Sequence, residues 1–90
     1  MLIVTEKKII NAVNVFAFTV DRQYNSLPNF ETTGYQLRAW HSGYVDDNGN
    51  ADYILVRSYA KSEEQQAKAD LEKILAAFMN ASGIEIVDLR

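Results

Sequence analysis

Ninety residues suit one domain, and at this length folding buries only about 60–65% of the unfolded surface, so stability is thin. A chain that is 48% hydrophobic and 23% charged, with net charge −3 and no cysteine, falls outside the disordered, collagen-like and disulfide-built classes and has no thiolate metal site. The longest apolar runs, 13–20 and 84–89, are far below the roughly 20 residues that span a bilayer, and no secretory signal pattern is present. The expectation is a single cytoplasmic domain, 1–90, with no membrane partner.

Residues 2–5 read as a short strand turning through Glu6, Lys7 and Lys8. Residues 9–20 then alternate as one long strand, with Phe16, Phe18 and Val20 on one side and Val13, Val15 and Ala17 on the other. Apolar residues on both faces imply a central strand. Residues 5–16 also fit a helix with Ile9, Val13 and Phe16 on one stripe, but the Val, Ile and Phe content favours strand. Residues 21–34 are polar, hold the only proline, Pro28, and read as a loop long enough to be functional or mobile.

Residues 35–61 carry two strand-like runs around Asp46, Asp47, Asn48, Gly49 and Asn50. Asn-Gly is the strongest short hairpin signal, because a type I′ turn needs positive φ at both central residues. With Asn48 and Gly49 as that turn, Asp47 opposes Asn50, Tyr44 opposes Tyr53, Ser42 opposes Leu55, Trp40 opposes Arg57 and Arg38 opposes Tyr59. Leu37, Ala39, His41, Gly43 and Val45 share the other face with Ile54, Val56, Ser58 and Ala60. That smooth face suits a packed helix, which leaves the aromatic and arginine face outside.

The helix is expected over 62–82, since Ala67, Leu71, Ile74, Leu75, Phe78 and Met79 recur at three- and four-residue spacing with Lys68, Asp70, Glu72 and Lys73 between them. Ser62 with Gln65 fits a capping box, Glu63 and Glu64 suit the first turn, and Gly83 suits the left-handed position at the end. Residues 84–89 form a C-terminal strand, parallel to the strand before the helix if both lie in one sheet. The fold class is therefore α+β: a mainly antiparallel sheet of four to five strands, one long helix on one face, and a strand at the C-terminus.

No stretch demands catalysis. His41 is the only histidine and lies on the helix-facing side, where a satisfied ring nitrogen explains it. The acidic residues around Gly49 superficially suggest calcium but lack the ligand spacing of a helix-flanked loop, so turn chemistry accounts for them. Neither glycine-rich phosphate motif occurs. The expectation is a non-enzymatic module without metal or cofactor.

What remains is the face of Arg38, Trp40, Tyr44, Tyr53, Arg57 and Tyr59, residue types enriched at binding hot spots. The plainest account is a sheet surface that stabilises itself through arginine–aromatic stacking. A contiguous patch of this kind exceeds what monomers usually leave bare, which points to a protein partner, first of all a second copy. Single-stranded nucleic acid on the same face ranks second, opposed by the acidic net charge. A small enzyme or ligand binder ranks third, with a cleft near 21–34 that would bring Tyr24 or Glu31 to His41.

Overall fold

The computed structural model describes residues 1–26, 29–79 and 85–90. In chain order the elements are β1 (Leu2–Val4), β2 (Ile9–Asn11), β3 (Val15–Tyr24), β4 (Thr32–Val45), β5 (Ala51–Ala60), a 3-10 turn (Lys61–Glu63), α1 (Glu64–Met79) and β6 (Ile86–Asp88). They form two three-stranded sheets, ordered β2-β1-β6 and β3-β4-β5. Among the described residues the class is α+β with one helix, as the periodicities require, but the strands divide between two sheets where one was expected.

Asparagine chemistry causes the division. The Asn11 side-chain oxygen accepts the Val13 N–H at 3.2 Å, and Asn14 adopts φ 62°, a left-handed conformation that asparagine tolerates better than most residues. The run 9–20 is therefore two strands. Ile9–Asn11 turns back on β1, pairing Ile10 with Ile3, while Val15 onward pairs with β4. β3 lies at a sheet edge and not at the centre, and Phe16, the residue skipped in its ladder with β4, is exposed.

Half of the polar stretch 21–34 is strand. Asp21 to Tyr24 continue β3, Thr32 to Gly34 open β4, and only 25–31 connect them. Arg22 laces this hairpin, its Nε donating to Thr32 Oγ1 at 2.5 Å and its Nη2 to the Phe30 carbonyl at 2.6 Å. Polarity here marks a solvated hairpin end and not the absence of a ladder.

One core serves both sheets. Leu37, Ala39, Val56 and Tyr59 from the large sheet, Ile3, Ile10, Val87 and Leu89 from the small sheet and its flank, and Ala67 and Ile74 from α1 form a single buried cluster. Helix and small sheet thus cover the same face of β3-β4-β5. β6 runs parallel to β1, with Ile3 opposite Val87; it lies in a different sheet from β5, so the condition for a parallel unit across α1, both strands in one sheet, is not met. Adding Ile86–Asp88 to β1 buries Val87 against the fully buried Ile3 and still exposes Ile86 and Asp88. The α-helix begins two residues after its expected start, because a 3-10 turn, Lys61–Glu63, leads into it; the reach back to a backbone N–H is made by Glu63 Oε1, and not Gln65, to Ala60 at 2.7 Å. The expected terminating Gly83 lies outside the described residues.

Gly34 stands opposite Ala60 in the ladder, and a Cβ there would come within 2.5 Å of the Tyr59 carbonyl oxygen. Backbone cannot yield as a flexible side chain does. Gly34→Ala is expected to destabilise the fold by about 1–3 kcal/mol, read as a lower urea midpoint with unchanged slope.

Candidate functional site

The face presented by β4 and β5 depends on where the hairpin register slips. At the tip, Asp46 Oδ1 accepts the N–H groups of Asn48 and Asn50 at 2.9 and 3.0 Å, and Gly49, with φ 81°, donates to the Asp46 carbonyl at 3.0 Å. Gly49 is left-handed but Asn48 is not, so the loop is the three-residue type with a glycine bulge and not the two-residue type I′ turn. That slips the register by one, pairing Val45 with Ala51.

Two further irregularities follow. Residues 42–44 interrupt the ladder until His41 meets Asp52, and this restores the expected parity: Trp40 opposes Tyr53, Ala39 opposes Ile54 and Arg38 opposes Leu55. Then Val56 enters as an extra residue, after which Leu37 opposes Arg57 and Tyr35 opposes Tyr59. A bulge of this sort turns every following side chain to the other face.

The consequence splits the expected site. Leu37 and Ala39 are buried in the core, so Gln36, Arg38 and Trp40 alternate to the outside, joined there by Tyr53. Arg57 and Tyr59 instead face the helix. Their expected stacking on Trp40 and Arg38 does not occur, and this correction follows from the single bulge at Val56. Tyr44 lies in the interrupted stretch, and its side chain falls outside the described residues.

On the outer face three side chains stack. The Arg38 guanidinium lies 4.2 Å from the Tyr53 ring centroid, and the Trp40 and Tyr53 rings meet at 5.2 Å with a 59° tilt. Polar neighbours fix them in place. The Trp40 indole donates to Thr19 Oγ1 at 2.8 Å, Thr19 Oγ1 donates to Asp21 at 2.5 Å, and Asp21 lies 3.7 Å from Arg38 Nε. Arg38 also donates twice to Gln36 Oε1, at 3.0 and 2.9 Å. Thr19, Asp21 and Gln36 therefore belong to the site; of the three only Asp21 falls in the stretch 21–34 expected to be a loop. The alternation Thr19, Asp21, Gln23 was the signal that β3 continues with a polar outer face.

The inward pair builds something else. Asp70, 1% exposed, accepts from Arg57 Nη1 at 2.9 Å, from the Tyr59 hydroxyl at 2.6 Å and from Gln66 Nε2 at 2.8 Å. Arg57 also donates to the Leu89 carbonyl at 2.6 Å and to Glu6 at 2.7 Å. Burial, then the hydrogen bond to the Asp70 carboxylate and its charge, push the Tyr59 phenol well above the usual tyrosine range, so it stays a neutral donor. For Arg57 burial opposes the charged form, but Glu6 and Asp70 together outweigh it and raise the guanidinium further. The cluster clamps β5, α1, the end of β6 and the β1–β2 turn to one another.

The arrangement sought for catalysis is not assembled. His41 pairs with Val15 at one end of the β3–β4 ladder and Tyr24 with Thr32 at the other, about 30 Å away by strand rise. His41 Nδ1 accepts the Gly43 N–H at 2.9 Å. Among the described residues no group of His, Cys, Asp or Glu is placed to hold a metal ion, and Asp46 spends its carboxylate on loop N–H groups. No described helix is long and apolar enough to cross a membrane. No family model, curated protein or solved structure matches this chain.

Proposed function

We propose that this domain is a non-enzymatic protein-interaction module that associates through the outer face of β3-β4-β5, with a second copy of itself as partner. One observation carries the reading. Arg38, Tyr53 and Trp40 form a continuous stack whose polar atoms are held by Thr19, Asp21 and Gln36, on the sheet face away from α1 and the small sheet. Large side chains already fixed in one geometry lose little freedom on binding, which is what a hot spot requires.

The charge pattern favours protein over nucleic acid. Arg38 stands beside Asp21, and Arg57, which would have doubled the positive charge of the face, is turned inward to Asp70. A patch that pairs its own charges offers no net attraction to phosphate, but it is self-complementary about a two-fold axis.

Light scattering tests this. The scattering mass is expected to rise with concentration from 10.2 kDa to a multiple of it, and Trp40→Ala to weaken that association by at least ~30-fold, the ~2 kcal/mol of a hot-spot truncation. Trp40 lies outside the buried core cluster, so circular dichroism should show an intact fold. Association untouched by Trp40→Ala would remove the outer face from consideration, and oligonucleotide binding that falls steeply with salt would replace the reading with the nucleic-acid one.

A further inference from the structure

The large sheet has two edges, and the chain treats them differently. Beside β5 the β1–β2 turn leaves a cleft of about 340 Å³, where Lys8 Nζ donates to the Leu55 carbonyl at 2.8 Å. The ammonium stands where the N–H of a neighbouring strand would otherwise go, and lysine at an edge is a common guard against unwanted pairing. β3, the other edge, is ten residues long, pairs among the described strands only with β4, and contains neither lysine nor proline; its ladder is regular from Ala17 to Gln23, with a bulge at Phe16 before it. Its two charges are engaged within the chain, Asp21 with Thr19 and Arg38, and Arg22 with Thr32 and Phe30.

Apolar side chains gather at both ends of this edge. Near its start Phe16 borders a depression of about 120 Å³ shared with Phe18 and with Leu75 and Phe78 of α1. Near its finish the rings of Tyr24 and Phe30 lie 6.1 Å apart. Phe16, Tyr24, Phe30, Leu75 and Phe78 are between 44% and 65% exposed. By alternation from the core-packed Phe18 and Val20, Tyr24 lies on the helix side of the sheet, as does the depression.

We infer that β3 is the contact strand for a second copy of this chain: two β3 strands pair antiparallel about a two-fold axis normal to the sheet, making one six-stranded sheet. An axis at Val20 sets Ala17 opposite Gln23 of the other copy across the regular stretch and brings the end of the strand that carries Phe16 beside the end that carries Tyr24, so the apolar cluster at one end meets the ring pair at the other, twice. Asp21 then opposes Thr19. An axis at Asp21 or Arg22 would set like charges directly against each other, which is unfavourable. At roughly 150–250 Å² per aromatic side chain, the exposed parts of these residues supply on the order of 1,000 Å² over both copies, the size at which specific association begins, and the strand edges add their hydrogen bonds.

This contact stands apart from the outer-face contact, and the two are compatible. An axis normal to the sheet and an axis in its plane together close a tetramer of D2 symmetry, and only that final step rests on the outer-face reading.

Light scattering and backbone hydrogen exchange on four chains separate the contacts. The Phe16→Glu/Phe78→Glu chain, altered only at exposed positions, is expected to run at half the wild-type mass with unchanged circular dichroism. Amides of 15–24 are expected to exchange more slowly as wild-type concentration rises, but not in that variant. Trp40→Ala alone should leave the β3-paired dimer, and the triple variant a monomer. Wild-type mass in the double variant, or β3 amides whose exchange ignores concentration, would overturn β3 pairing whatever Trp40→Ala does. A mass lowered by the double variant but not by Trp40→Ala would keep β3 pairing and end the outer-face reading.

Discussion

Asp70→Ala is expected to destabilise the folded chain by about 3–5 kcal/mol, a large part of what a domain of this size has. Asp70 is 1% exposed and is the shared acceptor for Arg57, Tyr59 and Gln66. Removing it leaves a partly buried guanidinium with Glu6, the Leu89 carbonyl and the Tyr59 ring, and a buried hydroxyl with no acceptor. The guanidinium loses its buried counter-charge and the Tyr59 hydroxyl its acceptor without regaining water, and this is the expensive way to break such a cluster. Replacing the group together, as Asp70→Leu with Arg57→Met and Tyr59→Phe, is expected to recover most of the loss, because no desolvated charge or hydroxyl is stranded. Urea unfolding of the two chains decides it. Asp70→Ala within 1 kcal/mol of wild type would mean that the clamp contributes little.

The elements governed by local periodicity were legible. The spacing of Ala67, Leu71 and Ile74 locates α1, and β-branched residues mark β1, β5 and β6. Local signals also placed Leu37 and Ala39 inside and Arg38, Trp40 and Tyr53 outside, despite a wrong tip. The one-residue slip at Gly49 and the interruption at 42–44 add up to an even shift in register, so parity survived two errors. It did not survive the third. No composition rule marks Val56 as an extra residue, since in the sequence it is one more apolar position in an alternating run. Only the inward pull of Asp70 on Arg57 and Tyr59 shows why the strand is irregular there. Asp70 was read as one of the polar residues between the apolar positions of the helix, because one-dimensional spacing cannot tell a solvated carboxylate from one that is covered by another element. Asn14 is a similar case: asparagine's tolerance of left-handed backbone split an alternating run into strands of two different sheets.

Deleting Val56 is expected to unfold the domain. Without the extra residue, β5 could pair regularly with β4, and Arg57 and Tyr59 would rotate to the outer face towards Arg38 and Trp40, the arrangement that unbroken alternation implies. The core would then lose the buried Val56 side chain, about 1.5 kcal/mol or more, and the Asp70 clamp, about 3–5 kcal/mol, leaving Asp70 buried without its arginine. These losses together reach the lower end of the stability of about 5–13 kcal/mol expected for 90 residues. Val56→Ala keeps the chain length and the bulge and removes only packing. It should stay folded with a loss of about 2 kcal/mol. Amide–nitrogen correlation spectra would distinguish the two: dispersed peaks for Val56→Ala, collapsed ones for the deletion. A deletion chain that folds with native-like stability would show that the side chains of 57 and 59 can occupy either face, and that the bulge does not decide which surface of the sheet is left open for a partner.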